Sequence, residues 1–167
     1  MPTQLYWIDG PWPGRLAVAP RPRGGDWLED EVSAWQRAGV DDVLSLLTAE
    51  EENDLELINE AETAKSHHLK FFSFPIEDRQ VPASEFRLTE TLEKLNADLS
   101  AGNNVMIHCR QGIGRSGLVA ACLLVTQGWD PGKAVEEVSA VRGVPVPETA
   151  AQRKWIDHYA ALLAGSK

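Results

Sequence analysis

Short, largely apolar runs alternate with longer segments of helical pattern along most of the chain, and this alternation constrains the fold most strongly. Three such runs predict buried strands at residues 43–47, 69–74 and 105–107. Strands that alternate with helices favour an α/β domain, with a central, mostly parallel sheet of about four or five strands and helices on both faces. We expect residues 1–167 to form one domain of this class, because the length suits a single core.

The first 25 residues predict a different element, an antiparallel hairpin. Glycine and proline residues crowd positions 10–14 and separate the apolar runs at 5–8 and 16–19. Two short apolar runs around such a turn are typical of a β-hairpin, and nearby prolines favour the edge of a sheet. We therefore expect a hairpin within residues 1–25 at a sheet edge.

Helix start and stop signals divide the remaining chain. Asp26 is a candidate cap for a helix over residues 27–38. Thr48 and Glu51 have the spacing of a capping box, which predicts a helix that continues to about residue 64. The other predicted helices begin and end at turn formers or capping residues and cover positions 84–102, 114–127, 130–143 and 147–159.

Composition excludes several classes of function. With 16 Lys+Arg against 25 Asp+Glu, the net charge of −9 argues against binding nucleic acid or an anionic membrane through the overall field. No apolar run approaches the roughly 20 residues of a membrane span, and the N-terminus lacks the regions of a signal peptide. The 2 cysteines are too few for a disulfide framework, so we expect a cytoplasmic protein.

Candidate chemistry concentrates in residues 105–117, VMIHCRQGIGRSG. The predicted strand ends at Cys109, a glycine-containing loop follows, and a helix begins near Gly114. Backbone N–H groups of such a loop form an anion site at a helix N-terminus, and they lower a thiol pKa from about 8.5 to roughly 3.5–7.5. Arg115 can fold back over the loop, where its planar guanidinium suits two phosphate oxygens. The segment therefore predicts nucleophilic attack on a phosphoryl group.

Other interpretations of this loop fit less well. Residues 112–117 also spell G-x-G-x-x-G, but a dinucleotide site needs a following strand and an acidic residue about 20 positions later. Here Asp130 and Pro131 open another helix instead. A Walker loop is excluded because the segment lacks Gly-Lys-Ser/Thr. A merely structural buried cysteine remains an alternative for Cys109, and Arg115 in register with it disfavours that alternative.

The order His108-Cys109, five residues, then Arg115-Ser116 matches the Cys-x5-Arg signature of the protein tyrosine phosphatase superfamily. The residues that follow, 117–124, resemble dual-specificity phosphatases, especially the kinase-associated phosphatase branch. The resemblance covers roughly residues 40–160 and implies the cysteine-based phosphatase fold. It also implies that phosphate, sulfate or vanadate binds in the loop, at Arg110, Gln111, Gly112, Ile113, Gly114 and Arg115.

A second loop supplies a candidate acid. Residues 75–82, PIEDRQVP, resemble the acid loop of dual-specificity phosphatases, with Asp78 at the acid position and Glu77 as the near alternative. Loops at strand ends are where parallel sheets place ligand contacts. Asp78 must carry a proton while Cys109 lacks one, which reverses the order of their free pKa values of about 3.9 and 8.5. Opposed environments of this kind divide acid and nucleophile roles within one site.

The resemblance implies a two-step reaction that needs neither metal nor cofactor. Cys109 attacks phosphorus and Asp78 protonates the leaving oxygen, while Arg115 and the loop amides hold the other oxygens. Water that Asp78 deprotonates then hydrolyses the phosphocysteine.

Three residues have supporting roles by the same resemblance. Ser116 donates a hydrogen bond to the departing sulfur, and His108 lies under the loop and tunes Cys109 through hydrogen bonds. Gln152 resembles the position of a water-orienting glutamine in some relatives.

We expect a monomeric phosphatase whose partner is a phosphorylated protein or peptide, hydrolysed at phosphotyrosine and also at phosphoserine or phosphothreonine. One alternative keeps the loop and changes the substrate to a phosphoinositide, a nucleotide or an RNA 5′-phosphate. Arg110 is the only basic residue among the variable loop positions, which disfavours such polyanions. A non-enzymatic phosphoprotein-binding module would lack a Cys, Arg or acid, and none is missing. A redox enzyme would need more cysteines than Cys122.

Overall fold

The computed structural model describes residues 2–165 and contains one five-stranded mixed sheet. The strands lie in the order β1-β2-β5-β3-β4, where β1 pairs antiparallel with β2 and the other three pairs are parallel. The predicted mostly parallel sheet is confirmed, with the predicted hairpin at its edge. The strands are β1 (Tyr6–Ile8), β2 (Leu16–Ala19), β3 (Asp42–Ser45), β4 (Lys70–Ser73) and β5 (Val105–His108).

Seven α-helices flank the sheet in the described part of the chain. They are α1 (Leu28–Arg37), α2 (Ala49–Asp54), α3 (Glu60–Ser66), α4 (Glu85–Ser100), α5 (Arg115–Thr126), α6 (Pro131–Arg142) and α7 (Ala150–Gly165). Within residues 2–165, no helix combines the length and apolar character needed to cross a membrane.

Side chains alternate between the two faces of the central strands and build two separate cores. Ile107 of β5 packs into the larger core with residues of α4, α5, α6 and α7. Met106, its neighbour, points to the opposite face and packs with residues of α1 and α3. Both faces of the sheet are therefore covered by helices, as the alternation of strands and helices predicts.

Two helix predictions are wrong in detail. Asp26 caps no helix, because it lies in a 3₁₀ turn, Gly25–Trp27, and α1 begins after it without a side-chain cap. The helix predicted from Thr48 to about residue 64 is two short helices, α2 and α3. Glu56 between them has a φ of 57°, and the bend places Leu57 fully inside the smaller core. Burial of that leucine outweighs the local preference for one continuous helix.

The carboxyl ends of the parallel strands lie together at one edge of the sheet, and the loops that follow these strands meet there. The loop after β3 lies beside the end of β5, since Leu46 N–H donates to the His108 carbonyl at 3.0 Å. The segment after β4 lies on the other side of the loop that follows β3, since Ile76 N–H donates to the Leu46 carbonyl at 3.0 Å. Residues following three different strands are thereby brought to the end of β5, where Cys109 is located.

A buried carboxyl group lies at the opposite edge of the sheet, where the parallel strands begin. Asp42, the first residue of β3, is fully buried. Burial, together with the neighbouring carboxyl group of Asp98, raises the pKa of Asp42 to about 8. Asp98 also pairs with Lys70 at 3.2 Å. Because the pKa of Asp42 lies above its ordinary value of 3.8, its contribution to stability is full below pH 4 and is lost as the pH rises through 8.

We predict that Asp42→Asn flattens this dependence. Asparagine cannot ionise, so from pH 5 to pH 8 the free energy of unfolding should fall by roughly 2–4 kcal/mol less in the variant than in the wild type. Urea denaturation at both pH values measures the difference. Asp54→Asn, at an exposed position of α2, is the control and should track the wild type. Equal slopes for Asp42→Asn and the wild type would contradict the prediction.

Candidate active site

The loop between β5 and α5, residues 109–114, is built around a close backbone contact. Cys109 follows the last residue of β5, and α5 begins at Arg115. Gly112 has a φ of 75°, and a Cβ there would lie 2.6 Å from the backbone of Ala19 and Pro20 at the end of β2. Only glycine allows the loop to curl this tightly against the neighbouring strand.

Cys109 lies at the base of this loop with only 2% of its surface exposed. Its Sγ accepts a hydrogen bond from the Gly112 N–H at 3.3 Å and lies 3.3 Å from the hydroxyl oxygen of Ser116. Ser116 is fully buried in the first turn of α5. The sulfur therefore lies within hydrogen-bond distance of a backbone N–H and a hydroxyl at the N-terminus of α5, a place in a fold where backbone N–H groups bind anions.

Arg115 is also buried, with 1% of its surface exposed, and both terminal nitrogens of its guanidinium are engaged. They bind the two oxygens of Glu51 at 2.6 and 2.9 Å, and Nη1 also donates to the Ile76 carbonyl at 2.9 Å. Nη2 contacts Oδ1 of Asp78 at 3.2 Å. Burial opposes the charge of Arg115, but the Glu51 hydrogen bond and the charges of Cys109, Glu51 and Asp78 outweigh it and raise the pKa.

Glu51 is a residue whose place in the site the sequence interpretation missed. Its carboxylate completes the predicted capping box with Thr48 and also forms the bidentate pair with Arg115. Burial favours the neutral acid, yet the hydrogen bonds from Arg115 and Thr48 hold the pKa of Glu51 below its ordinary value. One signal was available, because the capping box follows β3 at the same sheet edge as Cys109.

The candidate acid lies in a tight turn over residues 77–80. The turn is closed by the Gln80 N–H, which donates to the Glu77 carbonyl at 2.9 Å. Of its two carboxylates, Asp78 is the one that contacts Arg115, while half of the Asp78 side chain stays exposed. The geometry therefore favours Asp78 over Glu77 as the group that faces the loop.

The partner of His108 differs from the expected one. The fully buried imidazole contacts Glu60, with Nε2 and Oε2 2.5 Å apart, and its Nδ1 has no hydrogen-bond partner among residues 2–165. The Trp35 ring packs nearby, with the ring centroids 6.1 Å apart. The expected hydrogen bonds that tune Cys109 are thus replaced by a buried pair with a carboxylate on α3. Sequence spacing gave no signal for Glu60.

Gln152 lies beside the site, and both ends of its amide bind backbone groups. Its Oε1 accepts from the N–H groups of Glu148 and Thr149 at 3.1 and 3.2 Å, which caps the start of α7. Its Nε2 donates to the Gln80 carbonyl at 3.0 Å. Gln152 therefore connects α7 to the acid turn, and its water-orienting role stays a prediction.

Arg142, at the end of α6, holds the outer side of the loop. Its Nε donates to the Gly112 carbonyl at 3.0 Å and its Nη2 to the Gln111 carbonyl at 3.1 Å. The guanidinium also stacks on Tyr6, 4.3 Å from the ring centroid. The remaining loop positions differ in exposure: Arg110 and Gln111 are exposed, Ile113 is half-buried and Gly114 is buried.

Comparison with known proteins identifies the family. The family model for PTP-SAK, the Swiss Army Knife protein, DSP-PTPase phosphatase domain, matches residues 2–157. The chain belongs to this phosphatase family. The phosphatase chain is 30% identical over 164 residues to protein 197R of Invertebrate iridescent virus 6, which carries a tyrosine phosphatase name, and the match covers 94% of the chain and 56% of 197R.

A second relative is cyclin-dependent kinase inhibitor 3 of Rattus norvegicus. It is 27% identical over 139 residues, which cover 82% of the phosphatase chain and 65% of the relative. The chain therefore spans between 56% and 65% of the length of these two relatives.

Two solved structures share the phosphatase fold. The crystal structure of kinase associated phosphatase, with its catalytic-site cysteine substituted by serine, matches with a TM-score of 0.89 at 22% identity and covers 98% of this chain and 97% of that one. The crystal structure of PTPMT1 in complex with PI(5)P matches with a TM-score of 0.76 at 16% identity, covering 96% and 98%. This likeness confirms the predicted cysteine-based phosphatase fold.

Proposed function

We propose that the chain hydrolyses phosphate monoesters through a phosphocysteine intermediate on Cys109. The observation that carries the proposal is the shared loop: a sulfur held by the Gly112 N–H at 3.3 Å and a buried guanidinium from the first residue of the following helix. Inward N–H groups at a helix N-terminus, together with one arginine, suit a tetrahedral dianion without a positively charged protein surface.

We further propose one catalytic domain over residues 1–167 that acts as a monomer in the cytoplasm.

In the first step the Cys109 thiolate attacks phosphorus in line, so that an S–P bond forms as the P–O bond of the ester breaks. Asp78 gives its proton to the departing oxygen. Because Asp78 contacts Nη2 of Arg115, an arriving phosphate competes with it for that nitrogen.

In the second step water attacks the phosphocysteine and the S–P bond breaks. Asp78, now ionised, accepts the proton of that water, and phosphate leaves. Ser116, whose hydroxyl oxygen is 3.3 Å from the sulfur, donates a hydrogen bond to the departing thiolate. Apart from water and the substrate, the protein supplies every group in these two steps, so the proposed reaction requires no metal or cofactor.

Phosphotyrosine in proteins or peptides is the proposed substrate, with phosphoserine and phosphothreonine as further ones. Cys109 is only 2% exposed, which suits a phosphate carried on a long, rigid stem. Arg110 is the only basic residue among the variable loop positions, and its nearest carboxylate, Glu51, is 3.8 Å away. A polyanionic headgroup finds little positive charge there. The tyrosine phosphatase name of 197R agrees with this choice.

We predict that the catalytic efficiency, kcat/KM, is highest on phosphotyrosine peptides. The measurement compares them with matched phosphoserine peptides and with phosphatidylinositol phosphates, the class to which the PI(5)P bound by PTPMT1 belongs. A clear preference for the phosphoinositides would replace the protein substrate with a lipid one. Binding of phosphopeptides without any hydrolysis would instead indicate a binding module.

We predict that Cys109→Ser abolishes hydrolysis of p-nitrophenyl phosphate and retains vanadate binding, because the loop N–H groups and Arg115 remain. Steady-state kinetics and calorimetry measure the two properties. Cys122→Ala is the matched control, since Cys122 is buried inside α5 and burial raises the pKa of its thiol. Turnover by Cys109→Ser close to the wild-type rate would exclude the phosphocysteine route and favour another nucleophile. Equal loss in Cys122→Ala would show that the loss is not specific to Cys109.

We predict that Asp78→Asn lowers kcat by about 10²–10⁴-fold, the usual contribution of a general acid. The loss should be larger for phenyl phosphate than for p-nitrophenyl phosphate, because the poorer leaving group needs the proton more. Glu77→Gln is the matched control on the same turn and should stay near the wild-type rate. The reverse result would assign the acid to Glu77.

A further inference from the structure

The turn that carries Asp78 is attached to its surroundings by two contacts from the far side of the site. Arg79, the next residue, pairs with Glu148 through Nη1 and Oε2 at 3.0 Å. Gln80 accepts a hydrogen bond at its carbonyl from Gln152 Nε2 at 3.0 Å. Both partners lie at or just before the start of α7, so the acid turn is bound to a rigid helix of 16 residues.

The backbone of the turn needs such external support. Arg79 has a φ of 65°, a left-handed conformation that is uncommon for a residue with a Cβ. Residues persist in this region when surrounding contacts hold them there. Since half or more of the Arg79 and Asp78 side chains is exposed, packing alone does not supply the support.

Glu148 is itself fixed against the phosphate-binding loop. A Cβ on Gly114 would lie 2.8 Å from Glu148 Oε1, so this carboxylate rests on the loop backbone just before α5. The Glu148 N–H is held by Gln152 Oε1 at 3.1 Å. One oxygen of Glu148 therefore touches the loop that holds the phosphate, and the other binds the residue next to the acid.

We propose that Arg79 and Glu148 form a latch that positions Asp78 over the loop. The inference rests on the proposed function, because the latch matters only if Asp78 is the acid. Arg79 and Glu148 are positioning residues and touch neither substrate nor reacting atoms. Gln152 of α7 binds the backbone at both ends of the latch, at Gln80 next to Arg79 and at Glu148 itself.

The exposure of the pair makes this latch reversible. The Arg79 side chain is 59% exposed and that of Glu148 is 27% exposed. An ion pair that is open to solvent contributes little energy, equivalent to about a 1.5- to 5-fold change in an equilibrium constant. The pair itself therefore favours the closed turn only slightly over an open one, which lets substrate enter before Asp78 takes its place.

The experiment reverses the charges singly and together. Arg79→Glu and Glu148→Arg should each lower kcat/KM for phenyl phosphate roughly 2- to 5-fold more than for p-nitrophenyl phosphate. The double variant restores an ion pair of opposite order and should recover most of this difference. The ratio between the two esters is the decisive quantity, because a change in phosphate binding or in folded fraction affects both esters equally.

An ion pair within α7 provides the matched control. Arg153 and Asp157 of α7 form an exposed pair at 2.8 Å, and Arg153→Glu with Asp157→Arg should leave the ester ratio unchanged. Equal losses on both esters, no loss, or no recovery in the Arg79–Glu148 double variant would overturn the latch. If Asp78→Asn itself shows no dependence on the leaving group, the proposed acid fails instead.

Discussion

One buried ion pair, between Arg115 and Glu51, holds the candidate site together. The Arg115 side chain is 1% exposed, and a buried guanidinium costs several kcal/mol unless a carboxylate and further acceptors compensate it. Glu51 comes from the helix after β3, the Ile76 carbonyl comes from the segment after β4, and Arg115 itself follows β5. The requirement to satisfy one cation therefore fixes the relative positions of the elements that follow three parallel strands.

The same ion pair explains how an acidic chain offers an anion site. The net charge of −9 gives no general attraction for phosphate, so binding must depend on local donors. Those donors are backbone N–H groups and a guanidinium whose charge two carboxylates already share, Glu51 closely and Asp78 more loosely. In the proposed reaction an incoming dianion exchanges with the looser contact, so one nitrogen couples the binding of phosphate to the release of Asp78 for acid catalysis.

Much of the fold could be predicted because its signals are local. Strand runs, the capping box at Thr48 and the left-handed Gly143 that ends α6 all act within a few residues. The errors arise where a distant contact decides the conformation. The helix predicted from Thr48 breaks so that Leu57 can enter a core made mostly by other elements, and Asp26 enters a 3₁₀ turn instead of capping.

The candidate site divides in the same way. Cys109 and Arg115 stand in a short segment whose spacing predicts phosphate chemistry, and Asp78 stands in one that resembles an acid loop, whereas each missed carboxylate has a partner far away in sequence. Glu51 lies 64 residues from Arg115, and Glu148 lies 69 from Arg79. The pair of Glu51 and Arg115 becomes visible only through topology, because parallel strands bring their following residues to one edge. An acidic residue shortly after a predicted parallel strand is therefore a candidate partner for a cation in a loop at the same edge, even when local patterns explain it as a helix cap.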